Sequence, residues 1–173
     1  MIGNSQEDFN YMRLALRQAA EAVEAGDVPV GAVIIRGKTV IAQAHNQTEL
    51  LKDPTAHAEM IAITQAASAV GDWRLTECTL YVTKEPCPMC AGAIALARIP
   101  KVVFGAYDPL PGFAKGERAD SPSQSAMAER GARNSGTIKS TEVSGGVLEE
   151  ECRELLQQFF RKLRKQKNDS SQS

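Results

Sequence analysis

Cysteine is scarce in this chain. There are four, two of them within one short motif, and that is no disulfide framework. No apolar run reaches the roughly 18 residues a membrane-spanning helix needs, and no charged-then-apolar signal pattern follows Met1, so a soluble cytoplasmic protein is the expectation. The net charge is −1 and the pI about 6.2, which supplies no global basic field for nucleic acid; any such binding must rely on a local patch. No internal repeat is evident. What the chain does have is 173 residues of which 43% are hydrophobic, long enough for one sizeable core and short for two. A single domain over 1–167 followed by a disordered tail at 168–173 is the reading.

The chemistry-bearing residues are concentrated. His57-Ala58-Glu59 is followed, about thirty positions on, by Pro86-Cys87-Pro88-Met89-Cys90. Two thiolates and a neutral imidazole give zinc three protein ligands, and a catalytic zinc keeps its fourth position for water. Water so placed loses a proton near neutral pH. Glu59 is not needed as a ligand and is the natural proton carrier between that water and a leaving amine. The arrangement H-x-E with P-C-x-x-C is similar to the signature of zinc nucleobase deaminases.

Spacing constrains where these residues sit. Cys87 and Cys90, three apart, share one face of a helical turn and can share a metal. His57 and Glu59, two apart, would point to nearly opposite sides of a regular helix, so the pair belongs where a helix begins. Asp53-Pro54-Thr55 marks such a start, with Asp53 or Thr55 as the N-cap, and Pro86 marks another. Both ligand groups then lie at helix N-termini, where N–H groups and the dipole favour thiolates and oxyanions.

Two plainer readings stand beside this. A redox C-x-x-C pair leaves His57 and Glu59 idle. A closed structural zinc site needs a fourth ligand, for which His45, Cys78 and Cys152 remain. Cys78 falls in a strand-like run and Cys152 in the apolar period of a late helix, where a buried small side chain is the default.

Helix and strand patterns alternate along the chain. A helix from Asp8 to Ala25 ends at Gly26; strands Val30 to Ile35 and Thr39 to Ala44 form a hairpin around Arg36-Gly37-Lys38. A helix from Thr55 to about Ala69, a strand Thr79 to Val82, a helix from Pro86 to about Arg98 and a strand Lys101 to Ala106 follow. Pro109 to Ile138 reads as a long loop with one short helical piece, Ser123 to Arg130. A last strand, Lys139 to Val143, precedes a helix from Val147 to about Lys165. Two successive strand-helix-strand passages imply parallel neighbours with helices packed on the sheet, and ligands at helix starts would lie at the sheet's carboxyl edge.

The wider sequence resembles the bacterial tRNA adenosine deaminase (TadA) family of the cytidine deaminase-like superfamily. The resemblance rests on Val28 to Val33, Asn46, Asp53 to Glu59, Leu80 to Thr83, Glu85 to Ile94, Arg98-Ile99, Val103 to Ala106 with Asp108, and Gly146-Val147-Leu148 through Phe159-Phe160-Arg161, about four-fifths of the chain. After Asp108 the chain departs from the family's pattern. The resemblance implies an α/β, three-layer cytidine deaminase-like fold with a mixed central sheet of about five strands and helices on both faces. It implies a homodimer that converts the wobble adenosine of a tRNA anticodon to inosine by hydrolysis. Residue by residue, it implies His57, Cys87 and Cys90 as ligands of one Zn2+ per chain and Glu59 as the proton shuttle. Asn46 then matches the residue that hydrogen-bonds the target nucleoside, although an Asn after a strand is also an ordinary turn residue. The activated water would attack C6 of a flipped-out adenine, with Glu59 protonating N1 and then the departing ammonia.

The one basic cluster is Arg161, Lys162, Arg164, Lys165 and Lys167. It suits phosphates of an anticodon stem-loop, and equally a helix C-terminus offsetting its dipole. Deamination of guanine or another small base uses the same zinc chemistry without a basic helix. A non-catalytic zinc-containing RNA-binding subunit is the third reading, and it has no use for Glu59.

Overall fold

The computed structural model describes residues 5–108 and 141–171. Helix α1, Gln6–Glu24, opens on a capping box in which Asp8 N–H donates to Ser5 Oγ and Ser5 N–H donates to Asp8 Oδ2. Strands β1 (Gly31–Arg36) and β2 (Thr39–His45) form the expected hairpin, turning at Gly37 with φ +60°. There follow α2 (Thr48–Leu51), α3 (Ala58–Val70), β3 (Cys78–Lys84), α4 (Pro88–Leu96), β4 (Lys101–Ala106), β5 (Glu142–Ser144) and α5 (Glu149–Ser170).

The five strands make one mixed sheet in the order β2-β1-β3-β4-β5. β1 runs antiparallel to both neighbours, whereas β3, β4 and β5 are parallel. Strand alternation then sorts the core. Ala32, Ile34, Leu80, Val82, Val102 and Phe104 face α3 and α4, and Val33, Ile35, Tyr81 and Val103 face α1 and α5. The result is three layers with helices on both faces, as expected.

Small residues set how close the layers come. The buried stripe of α3 is Ala58, Ala62 and Ala66, all fully buried, so this helix lies low on the sheet. On the other face Gly31 admits α1: a Cβ there would stand 1.9 Å from the Ala15 carbonyl oxygen.

The structure departs from the sequence expectations in four places. α3 begins at Ala58, not Thr55, because Asp53 accepts from the Thr55 N–H at 2.8 Å and the Thr55 hydroxyl at 2.7 Å in a local turn instead of capping the helix. β2 and β3 are parallel in direction but not neighbours, since β1 lies between them; β3 and β4, joined by α4, are an adjacent parallel pair as the second passage implied. α2 is a short helix that the sequence pattern does not announce. α5 runs past Lys165, so Asn168 to Ser170 are helical and not a disordered tail, with Ser170 Oγ donating to the Gln166 carbonyl at 2.8 Å. The loop expected at 109–138, its helical piece Ser123 to Arg130, and residues 139–140 of the last strand lie outside the described residues.

Candidate active site

The strand order puts several chain ends at one edge of the sheet. The carboxyl end of β3 leads through Glu85 and Pro86 to Cys87, and that of β2 leads to Asn46. β1 is antiparallel to both, so its beginning, with Asp27 to Val30, lies at the same edge. α3 and α4 start there.

His57 is the N-cap of α3 and Cys87 the N-cap of α4; neither side chain caps its own helix. Cys90 follows in the first turn of α4 behind Pro88, whose missing N–H is no loss at that position. His57 Nδ1 lies 3.6 Å from Cys87 Sγ and 3.5 Å from Cys90 Sγ. A tetrahedral zinc with Zn–S of about 2.3 Å and Zn–N of about 2.0 Å separates sulfur and nitrogen ligands by about 3.5 Å. The three ligand atoms therefore fit the ion the sequence implied. Among the described residues no fourth histidine, cysteine or carboxylate joins this group. Cys78 and Cys152 are buried in the core, Cys152 against Gly105, and His45 Nδ1 lies 3.0 Å from the Asn46 carbonyl oxygen.

Glu59 stands in the first turn of α3 and is 3% exposed. Burial pushes its carboxyl up, against the opposing pull of its own backbone N–H and of His57. His57 is raised by its contact with Cys87, against the effect of burial. The Cys90 thiol and His57 hold the Cys87 thiolate well below the ordinary thiol range, while the same contact with Cys87 and burial push Cys90 up.

Asn46 is buried and held on three sides. Its N–H donates to the Val30 carbonyl at 3.0 Å, and its Nδ2 donates to Asp27 Oδ1 at 2.9 Å and Thr48 Oγ1 at 3.1 Å. Asp27, fully buried, also accepts from the N–H groups of Glu49 and Leu50. Burial would raise Asp27, but the hydrogen bonds from Leu50, Thr48, Glu49 and Asn46 outweigh it and hold the carboxyl low.

Asp27 and Lys84 are site residues that the sequence reading does not single out. Asp27 meets Asn46 because Gly31 pairs with His45, which brings the residues flanking the mouth of the β1–β2 hairpin together. Lys84 continues the Leu80, Val82 alternation onto the α3–α4 face, and its Nζ pairs with Asp108 Oδ2 at 2.7 Å with both side chains about three-quarters buried. A lysine closing the apolar stripe of a strand is the available signal.

A family profile described as MafB19-like deaminase matches residues 6–164, so the three layers are the cytidine deaminase-like fold and the molecule is a deaminase. A tRNA-specific adenosine deaminase of Bacillus subtilis is 47% identical over 161 residues, spanning 93% of each chain. A solved structure described as a study of A-to-I editing by tRNA:A34 deaminases at the wobble position of transfer RNA is 39% identical. It aligns with a TM-score of 0.69 over 85% of this chain and 99% of that one. A guanine deaminase structure from Bacillus subtilis is 42% identical with a TM-score of 0.54, over 57% of this chain and 63% of that one. The chain belongs to the tRNA-specific adenosine deaminase family. No helix among the described residues is long and apolar enough to cross a membrane.

Proposed function

We propose that this chain hydrolyses adenosine to inosine at the wobble position of a tRNA anticodon, using one Zn2+ held by His57, Cys87 and Cys90. The observation that carries the reading is the buried Glu59 carboxylate beside a three-ligand group with no fourth protein ligand among the described residues. A redox pair or a closed structural site leaves that carboxylate without a task. When bound, zinc supplies a water activated near neutral pH.

The protein's own groups do the rest. Glu59 takes a proton from the attacking water and delivers it to N1 of the base, then takes the remaining proton from the new C6 hydroxyl and passes it to the amine, which leaves as ammonia as the C6 carbonyl forms. Asn46 hydrogen-bonds the target nucleoside. The exposed basic residues Arg161, Lys162, Arg164, Lys165 and Lys167 on α5 contact phosphates of the anticodon stem-loop. A tRNA substrate fits a cytoplasmic enzyme.

A second copy completes the assembly as a homodimer. Every residue of α4 except Gly92 and Pro88 is apolar or a ligand, yet Leu96 is 65% exposed, and Leu50 and Leu51 on α2 are also exposed. These exposed apolar side chains support the reading that a second copy covers this part of the surface.

The test is to incubate the zinc-loaded protein with an anticodon stem-loop carrying adenosine at the wobble position, and separately with free guanine. Inosine in the RNA and no xanthine is expected. Xanthine alone would overturn the assignment in favour of a small-base deaminase.

A further inference from the structure

The Asp27 carboxylate divides its two oxygens between different tasks. Oδ2 accepts from the N–H groups of Glu49 (2.9 Å) and Leu50 (3.2 Å), and so caps α2, whose own N-cap residue Gln47 makes no side-chain cap. Capping needs no more than that. Oδ1 accepts from Asn46 Nδ2 (2.9 Å), Thr48 Oγ1 (2.9 Å) and the Val28 N–H (3.2 Å). An ionised carboxylate can only accept, so the nitrogen end of the Asn46 carboxamide must turn towards it.

The triangle closes in a particular way. Asn46 Nδ2 lies 2.9 Å from Asp27 Oδ1 and 3.1 Å from Thr48 Oγ1, which are themselves 2.9 Å apart. Seen from the nitrogen, the two acceptors lie about 60° apart, both on the nitrogen side of the amide. The carbonyl oxygen of Asn46 takes no part in the triangle and is left for other partners.

We propose that Asp27 is the positioning residue of the substrate site: by fixing which end of the Asn46 carboxamide it holds, it fixes which donor and acceptor Asn46 offers the nucleoside. The inference rests on the reading that Asn46 binds the nucleoside, and it adds a residue that touches no substrate itself. Turning the amide over would exchange donor and acceptor on the substrate side. It would do so without moving Glu59 or the metal ligands.

Asp27→Asn tests this. Asn keeps an oxygen for the cap of α2, where it serves as well as Asp, but sets an amide nitrogen against Asn46 and Thr48. With zinc-loaded protein and the stem-loop, KM should rise about tenfold with kcat changed less than about threefold, the size of effect of one hydrogen bond in binding. Zinc content should hold. The decisive readout is a double-mutant cycle: in an Asn46→Ala background, Asp27→Asn should have no further effect on kcat/KM. Equal losses in both backgrounds, or an Asn46→Ala variant with parental kcat/KM, would overturn the proposal. Should Asp27→Asn not fold, Thr48→Val removes the third corner of the triangle and leaves the cap, and it must show the same dependence on Asn46. Failure of the functional reading looks different: the parent would make no inosine. The side-chain amide resonances of Asn46 would still report the contact, and their insensitivity to Asp27→Asn would sink it.

Discussion

Glu59→Gln separates proton transfer from every other property of the site. Glutamine has the shape of glutamate and a similar helix propensity, so the first turn of α3 persists. Glu59 is outside the His57, Cys87, Cys90 group, so the metal should persist too. Of the remaining buried acids among the described residues, Asp27 is fully engaged by its hydrogen bonds and Asp8 is bound to Tyr81 on the α1 face, while Glu85 accepts from the Asp108 N–H through Oε2 and has no hydrogen-bond partner at Oε1. Glu59, at 3% exposure, is not easily replaced by bulk water. A positioned proton transfer contributes about 10²- to 10⁴-fold, and the proposed mechanism assigns two of them to Glu59, so kcat should fall by about 10⁴-fold or more. At about 1.36 kcal/mol per decade this is about 5.4 kcal/mol of transition-state stabilisation. The assay is single-turnover inosine formation on the stem-loop, with zinc measured on the same preparation. A rate within tenfold of the parent, with zinc intact, would remove Glu59 as the proton carrier. Loss of zinc would show instead that it is a ligand.

Gly31→Ala should lower the unfolding free energy by about 3 kcal/mol or more, the upper end for overpacking, because the obstructing atoms at 1.9 and 2.5 Å are the Ala15 carbonyl oxygen and Ala19 nitrogen of the α1 backbone. An unchanged urea midpoint would contradict the close approach of α1 and β1. Acid should destabilise the protein through Asp8 and Asp27, in both of which hydrogen bonds outweigh burial and hold the carboxyl below its ordinary value. Their contribution is fully present above pH of about 4 and is lost as pH falls through the lower folded values, so Asp8→Asn should flatten the urea stability profile below pH of about 4. A profile as steep as the parent's would assign the acid sensitivity elsewhere. Replacing Arg161, Lys162, Arg164, Lys165 and Lys167 with Gln should weaken stem-loop binding and shrink its salt dependence, by about 0.7 to 0.9 in log–log slope for each phosphate no longer neutralised, with zinc content unchanged. An unchanged slope would reduce the cluster to a solvated helix end.

Most of the architecture is legible in the sequence because its signals are local. The strand periodicity, the Arg36-Gly37-Lys38 turn and the apolar period of α5 each lie within a few residues. The two-residue spacing of His57 and Glu59 requires a helix start, and His57 is indeed an N-cap. Long-range geometry is not legible. Nothing local says that β1 inserts between β2 and β3, and Asp27 gains its place only through that hairpin's register. The start of α3 differs from its expected position because Asp53 and Thr55 satisfy one another, a competition that composition does not reveal. Lys84 escapes a sequence reading because a charged residue at a strand end is ordinarily solvated, whereas here Asp108, just past the end of β4, receives it.

The alanine stripe of α3 makes that helix a gauge block between sheet and metal ligand. With the smallest chiral side chains at Ala58, Ala62 and Ala66, there is no slack to take up a larger residue, and any added methyl would be transmitted along a stiff rod to His57 at its tip. Variants selected for altered substrates should therefore leave those three positions alone and accumulate around Asn46, beyond the end of β2, where the site can be reshaped without resetting its depth.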